Sequence, residues 1–254
     1  MRPYTRSLHS DDYDFLRPYV DPIVHFVADM VVRGVPHREW HPHRLWEYAS
    51  IVQELTELGV SASAEIIDVG AGSSFFDPYL ALRYPLLCCT DTEKYGDYSW
   101  MVQKQREAYG VALPLYDLSI EDMLAKPEIG WGGAHEKFDV TLCISTIEHV
   151  DDHDKGFAEL VRITKPGGLI LITSDFFRDA QHFEQSVSRH LQVTPYSESY
   201  VLSLPERFPV DFVGKTDLAY AGDFVHNYSF CNIALRKQPA STEARTPLTT
   251  EKVT

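Results

Sequence analysis

Residues 65–74 read Glu65-Ile66-Ile67-Asp68-Val69-Gly70-Ala71-Gly72-Ser73-Ser74, and this stretch decides the fold of the chain. Its apolar residues suit a buried parallel strand, and an Asp-x-Gly-x-Gly turn follows at once. The two glycines let the backbone turn tightly and approach a ligand that a Cβ atom would push away. The stretch therefore predicts a cofactor site at the carboxyl end of a strand.

Two later residues narrow the kind of cofactor. The dinucleotide fingerprint G-x-G-x-x-G would have its third glycine at position 75, where this chain has Phe75, so a pyrophosphate close to the helix start is disfavoured. At the end of the next apolar run stands Asp91, the carboxylate expected to bind the two hydroxyls of a ribose. The combination favours a nucleoside without phosphates.

Bulk composition limits the classes of function. A chain of 254 residues, of which 44% are hydrophobic, is large enough for one α/β domain. The net charge of −14 argues against a nucleic-acid partner, because Lys and Arg supply most of the affinity for phosphates. Neither a leader peptide nor an apolar run of about 18 residues is recognisable, which predicts no secretion and no membrane partner.

The four cysteines bear on the compartment. They lie in apolar, strand-like runs without C-x-x-C spacing, and they are Cys88, Cys89, Cys143 and Cys231. Buried thiols in a reducing compartment explain this distribution better than zinc or disulfides. The chain is therefore predicted to be cytoplasmic.

Strand and helix patterns alternate after residue 60, which predicts an α/β fold with a mostly parallel sheet. Before it, residues 21–33 and Pro42 to Leu58 have the apolar spacing of two helices, and Gly59 is expected to end the second. Residues 1–20 are expected to be a poorly ordered arm or flap. The predicted organisation is an arm with cover helices at 1–60, the main domain at 61–237 and a disordered tail at 238–254.

Two further motifs establish a resemblance to a known family. Residues 145–150 read Ser145-Thr146-Ile147-Glu148-His149-Val150, and residues 165–168 read Lys165-Pro166-Gly167-Gly168. With the glycine turn, they resemble the class I S-adenosylmethionine-dependent methyltransferases over roughly residues 40 to 236, in particular the small-molecule group with S-x-I-E-H after the fourth strand. The resemblance implies a Rossmann-like, seven-stranded, mostly parallel sheet with an antiparallel last strand, helices on both faces and an N-terminal helical cover.

The same resemblance implies the cofactor, S-adenosyl-L-methionine, and its contacts. The amino-acid end of the cofactor is assigned to Asp68, Gly70, Ala71, Gly72 and Ser73. Asp91, with Thr92 next to it, is assigned to the ribose, Ser119 and Ile120 to the adenine, and Ser145 to the neighbourhood of the sulfonium. Glu121 and Asp122 are left open between an adenine contact and first-turn helix acids that suit the helix dipole.

The loop after the fourth strand faces the transferred methyl group in this family. His149 titrates near neutrality, so it is the candidate base for a hydroxyl acceptor, with Glu148 beside it and Asp175 as second choice. The alternative is that Glu148 and His149 only hold the loop and line the pocket, because an amine can be methylated by positioning and desolvation alone.

Two histidine groups raise the question of a metal. His149 and His153 are four residues apart beside Glu148, and some members with E-x-x-E-H here bind a divalent ion, but Ser145 replaces the first carboxylate. A second group before the second helix lacks a cysteine or carboxylate pair at ligand spacing and consists of His37, His41 and His43. No metal is predicted at either place.

The sequence thus predicts an enzyme that transfers a methyl group from S-adenosylmethionine to an oxygen or nitrogen of a small molecule. On resemblance alone, sugar or glycan and natural-product acceptors are favoured, with residues 183–223 as the substrate-recognition region. The alternatives are a non-catalytic cofactor-binding partner subunit, a protein methyltransferase and a nicotinamide-dependent oxidoreductase. The oligomeric state stays open.

Overall fold

One nine-stranded sheet organises the part of the chain that the computed structural model describes. The described residues are 3–37, 42–72, 74–92, 99–120, 136–186, 194, 196–223 and 228–239, the side chains of residues 42 and 43 excepted. The strands are β1 Thr5–Ser7, β2 Ile66–Val69, β3 Leu87–Asp91, β4 Leu115–Asp117, β5 Phe138–Ile144, β6 Thr164–Phe176, β7 Val210–Phe212, β8 Thr216–Asp217 and β9 Ser229–Lys237.

The strand order is β4-β3-β2-β5-β6-β9-β1-β8, with β7 paired to β9 beside this row. The first five strands in this order are parallel, and β9 runs antiparallel to β6. The predicted α/β class and the antiparallel last strand are therefore confirmed. The predicted strand count of seven is wrong for the described residues, because the outer edge of β9 pairs with both β1 and β7, and β8 adds to β1.

Helices cover both faces of the sheet. They are α1 Asp12–Arg33, α2 Pro42–Glu57, α3 Phe76–Ala81, α4 Ser99–Tyr109, α5 His153–Ile163, α6 Ala180–Gln185, α7 Glu198–Leu202 and α8 Leu204–Arg207, with a 3₁₀ turn at Ile147–His149. One apolar core lies between the sheet and α1 to α4, and a second lies between the sheet and α5, α7 and α8. Within the described ranges, no helix is long and apolar enough to cross a bilayer.

The N-terminal segment differs from the expected arm. Residues 5–7 form a strand of the sheet, and α1 begins at Asp12, well before the predicted start at residue 21. Two of the charged residues that suggested a solvated arm are buried and pair with each other: the Arg6 guanidinium lies 3.7 Å from the Asp12 carboxylate and donates to Ser50 of α2. Pairing offsets the cost of burying these charges.

Helix α2 ends close to the predicted residue, because Gly59 adopts a left-handed φ of 68°. The described part of residues 183–223 is less irregular than expected, since it contains α7, α8, β7 and β8. Nearly all of the predicted tail at 238–254 lies outside the described residues.

Glu54 of α2 generates a stability prediction. Its carboxyl is fully buried and accepts a hydrogen bond from Asn232 of β9, and burial raises its pKa from 4.5 to about 8. Between these two values the folded chain keeps a proton that the unfolded chain has lost, so this group makes the protein less stable as the pH rises.

We expect Glu54→Gln to remove that loss, because a neutral amide keeps an acceptor for Asn232. Relative to the parent, the free energy of unfolding of the variant should improve by at least about 1 kcal/mol between about pH 5 and pH 8. Urea denaturation of both proteins at the two pH values measures this difference. An identical pH dependence in the two proteins would show that Glu54 is ionised in the fold.

Candidate active site

The carboxyl ends of the parallel strands define a crevice. Strands β2 and β5 are neighbours in the sheet, and the chain builds outward from them in opposite directions, through β3 and β4 on one side and β6 on the other. Open α/β sheets bind ligands at such a topological switch point. The glycine turn after β2 and the loop after β5 meet there.

The backbone amides of the glycine turn are bound to the end of β3. Gly70 N and Ala71 N both donate to Thr90 O, at 2.8 and 3.0 Å, and Gly72 N donates to the Asp91 carboxylate. Gly70 and Gly72 have φ angles of 78° and 60°, which favour glycine. These three amides therefore have partners within the chain and do not form a phosphate cradle; Ser73 lies outside the described residues.

The position of the missing third glycine is filled. Phe75 is buried, and its ring packs edge-on against Tyr48 of α2 at 5.4 Å between centroids. The Tyr48 ring also stacks on Phe76, and its hydroxyl lies 3.1 Å from Ser74 Oγ. The second helix therefore packs over the glycine turn, as the resemblance implied for the N-terminal helices.

Asp91 lies at the mouth of the crevice. Its carboxylate accepts from Gly72 N and, at 2.5 Å, from Thr92 N, and both Asp91 and Thr92 are half-buried. Two backbone amides thus fix the orientation of this carboxylate next to the turn. The backbone of Leu118 donates to Asp91 O at 2.8 Å, which brings the next segment to the same edge.

The two residues assigned to the adenine differ in exposure. Ser119 is half-buried, whereas Ile120 is 5% exposed and packs in the apolar core near Gly156 of α5. Glu121 and Asp122 lie outside the described residues.

Asp68 is placed under the turn. It is buried at the end of β2, and Asp77 of α3 is buried close to it. Burial, and then the charge of Asp77, raise the pKa of Asp68 well above its usual value, and burial raises the pKa of Asp77 to about 6. Two adjacent buried carboxyls favour a shared proton, so this pair supports the turn from inside the protein.

The loop after β5 connects the turn to α2. Ser145 has a φ of 45°, which is uncommon for a residue with a side chain, and its hydroxyl donates to Glu47 of α2. Thr146 Oγ1 lies 3.1 Å from Gly70 O, and a Cβ atom built on Gly70 would be 2.1 Å from Thr146 Cγ2. Gly70 is therefore required for packing against this loop as well as for the turn.

Two buried acidic residues lie close together on the other side of the crevice. Glu148 lies in the 3₁₀ turn and Asp175 near the end of β6, and Asp175 N donates to Glu148 Oε1 at 3.3 Å. Burial, and then the charge of Asp175, raise the pKa of Glu148 well above its usual value. Burial, and then Glu47, raise the pKa of Asp175 to about 7. The structure thus brings together two of the three predicted catalytic residues.

Sequence reasoning missed Arg44 and Glu47 of α2. Glu47 is fully buried and accepts from Thr173 Oγ1 of β6 at 2.7 Å, while its other oxygen binds Arg44 Nη1 at 3.1 Å. The sequence did contain a signal for this ion pair, because Arg44 and Glu47 are spaced i, i+3 on a helix. The apolar residues of α2 pointed only to a packing role for the helix, so the pair was not recognised.

The histidines separate from each other. His149 is exposed, and its pKa is lowered because the protein removes part of its hydration and Arg44 adds positive charge. His153 is buried and hydrogen-bonds to Tyr196 and Tyr200, and burial lowers its pKa. Across the described ranges, no group of three or more His, Cys, Asp or Glu is arranged to hold a metal ion. His41 and the His43 side chain lie outside those ranges.

The chain is similar in sequence to known proteins over the residues that form this site. Residues 67–172, from the glycine turn into β6, match the family model described as a methyltransferase domain. An uncharacterized protein of Synechococcus sp. is 27% identical over 139 residues, which are 54% of this chain and 31% of that protein. This chain therefore spans under a third of that curated relative.

Solved structures share the fold at low identity. A candidate sarcosine dimethylglycine methyltransferase from Galdieria sulphuraria has a TM-score of 0.60 at 13% identity, over 78% of this chain and 86% of that one. The magnesium protoporphyrin IX methyltransferase of Synechocystis PCC 6803, with bound S-adenosylhomocysteine, has a TM-score of 0.54 at 12% identity, over 81% of this chain and 92% of that one. The (4+2) cyclase SpnF has a TM-score of 0.57 at 14% identity, over 87% of this chain and 94% of that one.

The contact between Gly70 and Thr146 generates a prediction. We expect Gly70→Ala to destabilise the protein by at least about 2 kcal/mol, through overpacking and the positive φ. Gly110→Ala is the matched control, because Gly110 has a φ of 65° with nothing within 4 Å of an added Cβ. Adding Thr146→Ala to Gly70→Ala should recover part of the loss.

Urea denaturation measures the free energy of unfolding of the parent, Gly70→Ala, Gly110→Ala, Thr146→Ala and the double variant Gly70→Ala/Thr146→Ala. Equal losses for Gly70→Ala and Gly110→Ala, with no recovery in the double variant, would contradict the contact.

Proposed function

Because residues 67–172 match a methyltransferase domain and the fold is that of class I S-adenosylmethionine-dependent methyltransferases, we propose that this protein transfers a methyl group from S-adenosylmethionine to an oxygen or nitrogen of a small molecule. The family match and the shared fold support the predicted class and its cofactor. The acceptor, the site residues and the cytoplasmic location stay predictions.

The observation that carries the proposal is the glycine turn bound to the end of β3. The Gly70, Ala71 and Gly72 amides are occupied and the Asp91 carboxylate is oriented beside them, which suits a ribose better than a pyrophosphate. A carboxylate accepts bonds from two vicinal hydroxyls with charge-assisted strength. We assign the ribose to Asp91 with Thr92.

The remaining cofactor contacts follow the strand order. We assign the adenine to Ser119 and Ile120, the amino-acid end to the turn of Gly70, Ala71, Gly72 and Ser73, and the neighbourhood of the sulfonium to Ser145. Asp68 supports the turn from beneath, where it is buried with Asp77. The cofactor supplies an electrophilic methyl group, and the chain supplies orientation and exclusion of water.

The acceptor side contains the groups that hold or remove a proton. Glu148 and Asp175 lie buried beside Arg44, while His149 is exposed with a lowered pKa, so its neutral imidazole is available at neutral pH. Any of these three residues can serve a hydroxyl acceptor as a base. An amine that arrives as an ammonium ion must give up one proton before its nitrogen can attack, whereas a neutral amine can attack directly.

The alternatives differ in what they leave unexplained. A nicotinamide-dependent oxidoreductase needs turn amides for a pyrophosphate, and three of them have partners inside the chain. A non-catalytic partner subunit or a protein methyltransferase is compatible with the same cofactor site. The likeness to a protein titled as a (4+2) cyclase illustrates that this fold is not limited to one reaction.

Asp91→Asn tests the cofactor site. We expect at least a tenfold loss of affinity for S-adenosylhomocysteine, because hydrogen bonds to a charged group contribute about 1.5–3 kcal/mol. Asp117→Asn is the matched control: Asp117 is the register partner of Asp91 on β4 and is exposed, so affinity should change less than twofold.

Calorimetry with S-adenosylhomocysteine and with NAD measures both variants and the parent. Tight binding of NAD by the parent, without binding of S-adenosylhomocysteine, would replace the proposal with the oxidoreductase. Unchanged S-adenosylhomocysteine affinity in a folded Asp91→Asn protein would move the ribose site away from β3.

A further inference from the structure

The Glu148 carboxyl has hydrogen-bonding capacity that the described part of the chain does not use. Glu148 is fully buried, and its Oε2 has no hydrogen-bond partner among the described residues. Asp175, whose backbone N–H donates to Glu148 Oε1, is 8% exposed. Buried polar atoms are nearly always paired in folded proteins, so the unmet Glu148 oxygen beside Asp175 points to a donor that arrives with a ligand.

The neighbouring charged groups do not fill this role. Glu47 is satisfied by Ser145, Thr173 and Arg44, so the guanidinium already has a carboxylate partner. Three carboxyls therefore share one nearby guanidinium. Burial is the main cause of the raised pKa values of Glu148 and Asp175, and a neighbouring carboxylate is the second cause in each case. A positively charged group beside the pair would stabilise its ionised form, whereas a neutral alcohol would not.

The half-buried Tyr228 adjoins this end of β6, because Ser229, the next residue, is the register partner of Phe176. Its ring centroid lies 5.7 Å from that of the buried Phe177. Burial, followed by the charge of Asp175, raises the pKa of the Tyr228 phenol to about 12. An aromatic face next to carboxylates binds organic ammonium groups. The Tyr228 face also suits a hydrophobic body attached to the amine.

We propose that the Glu148–Asp175 pair binds the amino group of the methyl acceptor, so that the substrate class is a small hydrophobic primary or secondary amine and the reaction is N-methylation. This inference rests on the proposed function and deepens it, because the cofactor class alone leaves oxygen and nitrogen acceptors open.

The proton balance fits the pair. The acceptor enters as an ammonium ion and donates to both carboxyls, and one N–H proton passes to the Asp175 carboxylate. The freed lone pair forms the new N–C bond to the transferred methyl, while the C–S bond breaks and its electrons stay on sulfur. The product amine then carries the positive charge that the sulfonium carried before. Asp175 returns its proton to solvent as the product leaves.

The test compares two matched probes on protein saturated with S-adenosylhomocysteine: 2-phenylethylamine and 2-phenylethanol, which differ in the amino and hydroxyl groups. In calorimetric titrations near pH 7, we expect the amine to bind at least tenfold more tightly than the alcohol. Asp175→Asn should lower the affinity for the amine at least tenfold and leave that for the alcohol within twofold. Glu148→Gln should lower the affinity for the amine as well.

The controls separate folding from recognition. Asp211→Asn changes an exposed carboxylate on β7 and should not alter the affinity for either probe. Each variant should keep its melting temperature and its S-adenosylhomocysteine affinity within twofold, since neither carboxyl lies in the glycine turn. A second assay supplies S-adenosylmethionine with a labelled methyl group together with a pool of amines or a pool of alcohols. Label that appears only in the amine pool supports the proposal.

The outcomes distinguish this inference from the proposed function. Failure of the parent to bind S-adenosylhomocysteine overturns the proposed function and this inference with it. If S-adenosylhomocysteine binds but the amine has no advantage over the alcohol, or keeps its affinity in Asp175→Asn, the inference alone is overturned. Label transferred to the alcohol pool would also overturn it and return His149 as the candidate base.

Discussion

The carboxylate of Glu47 holds the candidate site together. Fully buried in α2, it accepts hydrogen bonds from Ser145 after β5 and Thr173 of β6 and pairs with Arg44. A buried carboxylate without partners would cost several kcal/mol, so α2 has a defined position only when all of these donors are present. Through this one group, the helix that covers the sheet fixes the loop after β5, which in turn packs against the glycine turn.

Buried acidic side chains are the second feature of the site. Two carboxyl pairs, Asp68 with Asp77 and Glu148 with Asp175, lie at the carboxyl ends of the strands on opposite sides of the crevice. Each pair leaves at least one buried carboxyl oxygen without a partner among the described residues. The pairs differ in exposure: Asp68 and Asp77 are 2% and 3% exposed, whereas Asp175 is 8% exposed. The first pair therefore supports the turn from inside the protein, and the second has one carboxyl nearer the surface, where a ligand can reach it.

Much of the fold and half of the site were readable from sequence because their signals are local. The glycine turn, the spacing to Asp91, and the Glu148-His149 segment each depend on residues close together in the chain or on strand periodicity. The acid pair was predicted as separate candidates, Glu148 and Asp175, without their contact. The strand β1 was missed because Arg6 and Asp12 resemble solvated residues in any hydropathy pattern, although both are buried.

By itself, the sequence determined the α/β class, the position of the glycine turn at the end of β2, and the absence of a third glycine in that turn. Only the tertiary structure decided that Glu47 hydrogen-bonds to Ser145, 98 residues away, and that Gly70 must lack a side chain because Thr146 packs against it. It also decided that β9 pairs both with β1 from the N-terminus and with β7, the strand before β8. The physical reason is that buried charges are stabilised by partners distant in the chain. Such partners leave no periodic trace, and packing alone brings them together.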